Sequence, residues 1–258
     1  MDRTGPVAGE YTAHSRHGER AVSDPDRLAH FLTLGMTKAI HDYRMIAPGD
    51  RVAVGVSAGK DSLALVALLR RWQRYAPFPY TLRALHFPVT ASGPAPVPEG
   101  LAAWLERLGV PLVVLASPAG MEWPLTCYRC AQLRRRVLLE GAYLQGCGKL
   151  ALAHHADDLA ATTLVNLIKH GRLDTMAPLR RYRQVTVIRP FAYTEEREIA
   201  RYARAAALPV QPTDCPLAGG TDRARAKELL RLALGISRQA RINLVRAALQ
   251  ARYPSVRG

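Results

Sequence analysis

Several features common in other protein classes are missing from this chain of 258 residues. No apolar run approaches the ~20 residues that a membrane-spanning helix needs. Residues 1–22 have no apolar core of the kind that marks a signal peptide, and they contain acidic residues, which are scarce in transit peptides. The chain has four cysteines, which argues against a disulfide framework of the secreted type. We therefore expect a cytoplasmic protein with no membrane partner and with a flexible tail at residues 1–22.

The chain also has fewer acidic than basic side chains. The 21 Asp and Glu residues face 36 Lys and Arg residues, so the formal net charge is +15. A basic excess of this kind, carried mostly by arginine, suits binding to nucleic-acid phosphates, although a solvated surface would give the same composition. The arginine clusters supply the candidate RNA contacts, namely Arg135, Arg180, Arg181, Arg223 and Arg225.

Internal repeats and low-complexity tracts are absent, and what remains is an alternation of strand-like and helix-like segments. Strand patterns occur at residues 52–56, 80–88, 110–116, 149–155 and 185–191, with helical patterns between them. This order predicts an α/β fold with a parallel five-stranded sheet and helices on both faces. We expect an N-terminal helix at 23–48, a catalytic domain at 49–220 and a basic helical region at 221–258.

The first predicted strand runs into a short polar loop, SAGKDS, at residues 57–62. A loop between a strand and a helix start aims backbone N–H groups at one point, where an anion binds favourably, and Lys60 adds a full positive charge. The Walker A pattern would need glycine at Val54 and Ser or Thr after Lys60, where Asp61 stands, so this is a different loop. An ordinary capped strand–turn–helix is the alternative.

A second polar segment, HHADD at residues 154–158, follows the fourth predicted strand. Ligands of parallel sheets bind beyond the carboxyl ends of the strands, so this segment and the SAGKDS loop should share one rim. Asp157 and Asp158 could hold a metal ion or move a proton there, or they could simply stabilise the start of a helix. His154 and His155 are interpreted as lining the same site, with packing as the alternative.

Cys127 and Cys130 form a Cys-x-x-Cys pair at the start of a predicted helix. The pair alone fits a redox dithiol, half of a zinc site or half of an iron–sulfur site, and the helix dipole with Arg134 would favour the thiolate forms. Cys147 lies near the far end of the same helix, on the order of 25 Å away, and is assigned a structural role. Cys215 lies in a later loop and is the candidate third ligand, with a buried thiol as the alternative. Three thiolates are too few to close a structural zinc site but can hold a four-iron cluster with one iron open.

Four segments taken together resemble one family. The loop SAGKDS resembles the SGGxDS signature of the PP-loop ATP pyrophosphatases, with Ala58 where glycine is usual, a change that is compatible with the loop unless that position needs a positive φ angle. Together with CYRCAQLRRR, LAHHADDLAATTLVNL and VIRPFAYTEEREIARYA, it resembles the tRNA 2-thiocytidine synthetases and the related cluster-dependent 2-thiouridine synthetases over about residues 26–230. The Cys215-Pro216 pair is similar to the 2-thiouridine branch, whereas the lack of terminal zinc-binding cysteine clusters favours the 2-thiocytidine branch.

The resemblance implies an ATP- and Mg2+-dependent enzyme with a 4Fe-4S cluster held by Cys127, Cys130 and Cys215. It implies that the C2 oxygen of a tRNA pyrimidine, preferably cytidine, is adenylated and replaced by sulfur from sulfide or a cysteine desulfurase, in a protein that could be a homodimer. A small-molecule substrate, or an RNA-binding iron–sulfur sensor without catalysis, are the alternatives. The implied catalytic residues are Lys60, Asp61, Asp157, Asp158 and Arg134. The implied ATP-binding residues are Ser57, Ala58, Gly59, Lys60, Asp61, Ser62, His154 and His155.

Overall fold

The structure, a computed structural model, describes residues 24–211 and 221–252. The strands of the described residues are Arg51–Gly55 (β1), Thr81–His86 (β2), Leu112–Val114 (β3), Lys149–Ala151 (β4), Leu179–Arg181 (β5) and Thr186–Ile188 (β6). The helices are Pro25–Asp42 (α1), Lys60–Trp72 (α2), Leu101–Leu108 (α3), Cys127–Leu144 (α4), Ala156–His170 (α5), Glu196–Ala205 (α6), Asp222–Ile236 (α7) and Ala240–Arg252 (α8), with a 3₁₀ turn at Pro190–Tyr193. The helices and strands alternate through most of the chain, as the sequence predicts.

The strands form one sheet in the order β3-β2-β1-β4-β6-β5, and all neighbours are parallel except β5 and β6. The predicted count of five strands is therefore wrong, because β5 adds a sixth, antiparallel strand at one edge. β5 is three residues long, too short to show a strand pattern, and its Arg180 and Arg181 are exposed. Charged side chains on a short edge strand also discourage pairing with other chains.

The two faces of the sheet have separate cores, because successive residues of each strand point to opposite sides. Val52 and Val54 of β1 belong to a large cluster that includes residues of α1, α2, α3 and α6. Ala53, between them, belongs to a second cluster with Leu138 and Ala142 of α4. Among the described helices, α4 is the one that contributes to this second cluster and to a third, smaller cluster around Phe87 and Cys130.

The two C-terminal helices pack against α5. Leu230 of α7 and Val245 of α8 are buried in the large cluster, and Lys169 of α5 forms an ion pair of 2.6 Å with Asp222 at the start of α7. The basic helices are therefore attached to the element that follows β4 at the rim. None of the described helices combines the length and the apolar character needed to cross a bilayer.

Candidate active site

The SAGKDS loop connects the carboxyl end of β1 to α2, which begins at Lys60. The Ser62 hydroxyl accepts a hydrogen bond from the Ser57 amide at 3.0 Å and donates one to the Gly59 carbonyl at 3.0 Å, which holds the loop closed. The first N–H groups of α2 have no partner within the helix, and they carry the positive end of its dipole. This geometry suits a phosphate group.

Ala58 has a φ angle of +58° and is buried. A positive φ angle brings the Cβ atom close to the following carbonyl and costs an L-residue roughly 1–2 kcal/mol, which is why glycine is usual at such positions. The position therefore needs the backbone conformation that the common glycine supplies, and the methyl group is not neutral here. The Ala58 carbonyl accepts a hydrogen bond of 3.1 Å from the Gln211 amide, which ties the loop to the end of the segment after α6.

Lys60 points into a cluster of carboxylates. Its Nζ atom lies 3.0 Å from Asp61 and 2.8 Å from Oε1 of Glu196, the first residue of α6. Burial alone would lower the pKa of Lys60, but the hydrogen bonds and charges of Glu196 and Asp61 raise it above its ordinary value. Lys60 is therefore cationic and already paired with two carboxylates. A bound phosphate would either replace these carboxylates as the partner of Lys60 or share Lys60 with them.

The start of α5 brings the HHADD segment to the same rim, as expected. The His155 side chain is almost fully buried, and its Nε2 atom lies 3.3 Å from Asp158 and 3.8 Å from Glu196. Asp158 accepts a hydrogen bond from the His155 amide, so it caps the helix. Asp157 accepts a hydrogen bond of 2.8 Å from the Glu196 amide. Both acids thus hold backbone groups, which favours the stabilising role over direct chemistry; their catalytic role stays a prediction.

Two cations from the C-terminal helices complete the cluster, and the sequence alone did not single them out. Lys227 of α7 lies 2.8 Å from Oε2 of Glu196 and 3.1 Å from Asp158. Arg241 of α8 is buried and lies 2.9 Å from Asp157 and 2.7 Å from Glu195. No local motif marks these residues, because each is far from its partners in the chain.

These ion pairs keep the acids ionised. Burial would raise the pKa of Asp157, yet the His155 ring, the Glu196 amide and Arg241 hold it well below its usual range. Burial would likewise raise the pKa of Glu196, but Lys227 and Lys60 lower it. The pKa of Asp158 is also lowered, since His155 and Lys227 outweigh its burial.

His154 differs from His155. Burial and the nearby charge of Arg189 lower the pKa of His154 to about 3, so its imidazole is neutral near pH 7. Its Nδ1 atom has no hydrogen-bond partner among the described residues. His154 therefore cannot supply a positive charge to a phosphate. If it lines the nucleotide site as predicted, it would contact the nucleotide as a neutral ring.

A divalent cation would fit beside the loop. Ligand atoms of Asp61, His155 and Glu196 all lie within 4.8 Å of one another. The two carboxylates are the oxygen donors that Mg2+ prefers, and a phosphate on the loop would supply further oxygens. The His155 imidazole, by contrast, is a donor typical of transition metals, so the predicted Mg2+ stays a prediction.

The cysteine pair lies at the same rim. Cys127 and Cys130 are in the first turn of α4, and Cys130 is buried against Phe87 and Val89, which follow β2. Arg134 donates a hydrogen bond of 2.9 Å to the Val89 carbonyl, which fixes α4 against this loop and gives Arg134 a positioning contact. Two thiols three residues apart on one helical turn fit two ligands of a cluster.

The remaining cysteines have different outcomes. Cys147 is buried in the second core cluster, beyond the far end of α4, which matches its predicted structural role. Cys215 lies outside the described residues, so its ligand role stays a prediction.

The predicted RNA contacts fall into two groups. Arg135 on α4 and Arg180 on β5 are exposed on the α4 side of the sheet, and Arg180 stacks on the Tyr182 ring at 5.2 Å, whereas the exposed Arg181 alternates to the other side. Arg223 and Arg225 are exposed on α7, the helix that also carries Lys227.

The strain at Ala58 can be tested by substitution. Ala58→Val places a branched side chain at a buried position with a positive φ angle, so we expect the free energy of unfolding to fall by about 1–3 kcal/mol. Ala58→Gly should stay within about 1 kcal/mol of the parent, because relief of strain offsets lost burial and chain entropy. Chemical denaturation measures both, and a valine variant as stable as the parent would contradict the backbone geometry.

The buried Arg241–Asp157 pair predicts a pH-dependent effect. Arg241→Met should lower the free energy of unfolding at pH 7 by about 1.5–3 kcal/mol, because Asp157 and Glu195 lose their guanidinium partner while Asp157 keeps the Glu196 amide. The low pKa of Asp157 contributes stability above its unfolded pKa of roughly 3.9, and that contribution is lost as the pH falls towards the folded value. The difference between parent and variant should therefore narrow in acid. Exposed Arg204→Met is the matched control, and a difference that stays constant with pH would contradict the pairing.

The sequence of this chain is similar to those of known proteins. The family described as the PP-loop domain matches residues 32–211. The tRNA-cytidine(32) 2-sulfurtransferase of Xanthomonas axonopodis pv. citri (strain 306) is 37% identical over 227 residues, which cover 83% of this chain and 72% of that protein. The protein of the same name from Xanthomonas oryzae pv. oryzae (strain PXO99A) is 38% identical over 224 residues, covering 82% and 71%.

A solved structure shares the fold. The U34-tRNA thiolase NcsA from Methanococcus maripaludis, with its 4Fe-4S cluster, has a TM-score of 0.71 and 19% identity, over 91% of this chain and 81% of that chain. The match over most of the chain, together with the loop that closes on Ser62 and aims the start of α2 at one point, identifies the chain as a member of the PP-loop domain family.

Proposed function

We propose that this protein is an ATP-dependent tRNA sulfurtransferase that converts a cytidine to 2-thiocytidine, at position 32 as the names of its relatives indicate. One observation carries the proposal: the phosphate loop with Lys60, the acids of α5 and α6, and the Cys127–Cys130 pair lie at the same carboxyl rim of the sheet. An ATP site and a sulfur-handling site at one rim suit a reaction that activates a base and then thiolates it.

In the first step, the C2 oxygen of the base attacks the α-phosphorus of ATP. A new oxygen–phosphorus bond forms, the bond to pyrophosphate breaks, and pyrophosphate leaves with the negative charge that develops on it. Lys60 and the amides at the start of α2 would neutralise this charge. Asp61 and Glu196 would hold Mg2+ against the phosphates once Lys60 has moved to them.

In the second step, sulfide attacks C2, and the carbon–oxygen bond breaks so that AMP leaves. Cys127 and Cys130 would hold a 4Fe-4S cluster together with Cys215, and the bound cluster would supply an open iron that accepts sulfide as a Lewis acid. Burial of Cys130 and the anchoring of α4 by Arg134 would keep the two thiolates in place. The sulfur would arrive as sulfide, either supplied free or released by an external thiol reductant, which is oxidised to its disulfide, from the persulfide of a cysteine desulfurase.

The direct test uses anaerobically reconstituted protein, ATP, sulfide and an unmodified tRNA transcript with cytidine at position 32. Mass spectrometry of the digested nucleosides should reveal 2-thiocytidine together with AMP. Formation of 2-thiouridine instead would assign uridine as the target base. The absence of any thiolated nucleoside, with protein that carries its full cluster, would overturn the proposal.

Lys60→Ala should abolish the release of AMP and pyrophosphate, because the developing charge on pyrophosphate loses its cation. The cluster absorbance should remain, since Lys60 is not a ligand. Arg107→Ala, an exposed arginine on α3, is the control and should keep full activity. Normal turnover by the Lys60 variant would remove the loop from the reaction.

Cys215→Ala should lose the brown absorbance of the cluster and the thiolation activity together. Cys147→Ala should keep both, because Cys147 lies in the second core cluster and away from the rim. Iron analysis after anaerobic reconstitution should give near four atoms per parent chain. A Cys215 variant with full iron content and full activity would eliminate it as a ligand.

A further inference from the structure

A long groove runs along α4 on the face of the sheet opposite to the one covered by α1, α2, α3 and α6. It has a volume of about 1090 Å³ and lies between α4, the loop around Met121 and the turn that joins β5 to β6. The residues that define this α4 groove are Arg129, Arg135, Arg136, Tyr143, Tyr182 and Arg183. The volume is slightly above the roughly 300–1,000 Å³ of typical small-molecule sites, and the groove follows about four turns of a helix, so its shape suits a polymer.

The charges of the groove favour an anionic polymer. Four arginines line it, against two acidic residues, Glu122 and Glu140. All four arginines are exposed, and Arg180, which pairs with Val187 of the second core cluster, adds positive charge on the side of the turn. Guanidinium groups pair with phosphates and also stack on bases, which lysines do less well.

The groove also offers aromatic faces for bases. Tyr143 is exposed by 50% and lies near the carboxyl end of α4. Tyr182 is partly buried on the wall opposite α4, and the Arg180 guanidinium stacks on its ring. A positive groove with interspersed aromatic rings is the usual arrangement for unpaired nucleic-acid strands, in which the backbone follows the charges and the bases stack.

The position of the groove links it to the rim. Arg129 lies between Cys127 and Cys130 in the first turn of α4, so the groove begins at the turn that carries the two thiols and extends away from it. A strand that lies along α4 would therefore place one end at the chemistry and the rest against the arginines.

We propose that the α4 groove binds an unpaired loop of the RNA substrate. This inference rests on the proposed function and adds to it the surface that holds the RNA. The arginines contact phosphates, Tyr143 stacks on a base, and the end of the groove at Arg129 delivers the target base to the rim.

The test is the affinity of the protein for a fluorescent, unmodified tRNA transcript, measured from low to high salt. Arg136→Ala with Arg183→Ala should weaken binding at least about tenfold and lower the slope of log affinity against log salt by about two units, because two phosphate contacts are lost. Arg107→Ala with Arg204→Ala, two exposed arginines on helices of the opposite face, should change neither the affinity nor the unfolding temperature. Unchanged affinity and slope in the groove variant would overturn the proposal.

A second pair of variants tests stacking without a change of charge. Tyr143→Ala should weaken binding several-fold, whereas Tyr143→Phe should bind like the parent, because the ring and not the hydroxyl stacks on a base. Tyr75→Ala is the control, since Tyr75 has a similar exposure of 54% and follows α2 on the opposite face. Equal affinities of all three variants would contradict the stacking role.

The thiolation assay separates this inference from the function on which it rests. A parent protein that thiolates tRNA, with groove variants that bind and thiolate normally, would reject the groove and keep the function. Groove variants that bind RNA normally but lose sulfur transfer from a cysteine desulfurase would assign the groove to a protein partner and would equally overturn the RNA proposal.

Discussion

The balance of charge at the carboxyl rim is the constraint on which the rest of the site depends. Asp61, Asp157, Asp158 and Glu196 converge there, and a buried carboxylate without a cation costs several kcal/mol. Glu196 gives one oxygen to Lys60 of the phosphate loop and the other to Lys227 of α7. The acids are thus neutralised by cations from three separate helices. The packing of α7 and α8 against α5 therefore supplies two of the positive charges on which the site depends.

The same balance has a consequence for nucleotide binding. Lys60 is held at the rim by two carboxylates before any phosphate binds. Phosphate binding would therefore cost little side-chain entropy of Lys60, but the carboxylates already neutralise part of its charge. In the proposed reaction, Asp61 and Glu196 would hold a divalent cation, and Lys60 would be free to pair with the phosphates. With both a nucleotide and a cation bound, Lys60, Asp61 and Glu196 would each still have a partner of opposite charge.

Much of the fold could be predicted from the sequence because it depends on local patterns. The β-branched runs, the loop between β1 and α2 and the rule for parallel sheets together place the SAGKDS and HHADD segments at one rim. The edge strand β5 was missed because three residues ending in two exposed arginines carry no strand pattern. Lys227 and Arg241 were missed because their partners are distant in the chain, and the φ angle of Ala58 follows from the closed loop, which composition does not encode.

The backbone of Ala58 has one more role, through its carbonyl bond to the Gln211 amide. Gln211 also donates from its side chain to the carbonyl of Glu99, next to the start of α3. The peptide group after Ala58 therefore cannot rotate unless the bond to Gln211 breaks or Gln211 moves with it. In the sequence, Gln211 precedes the segment that contains Cys215. Two hydrogen bonds of Gln211 thus connect the loop that would hold a nucleotide to the backbone just before α3, and neither bond depends on a charged group at the rim.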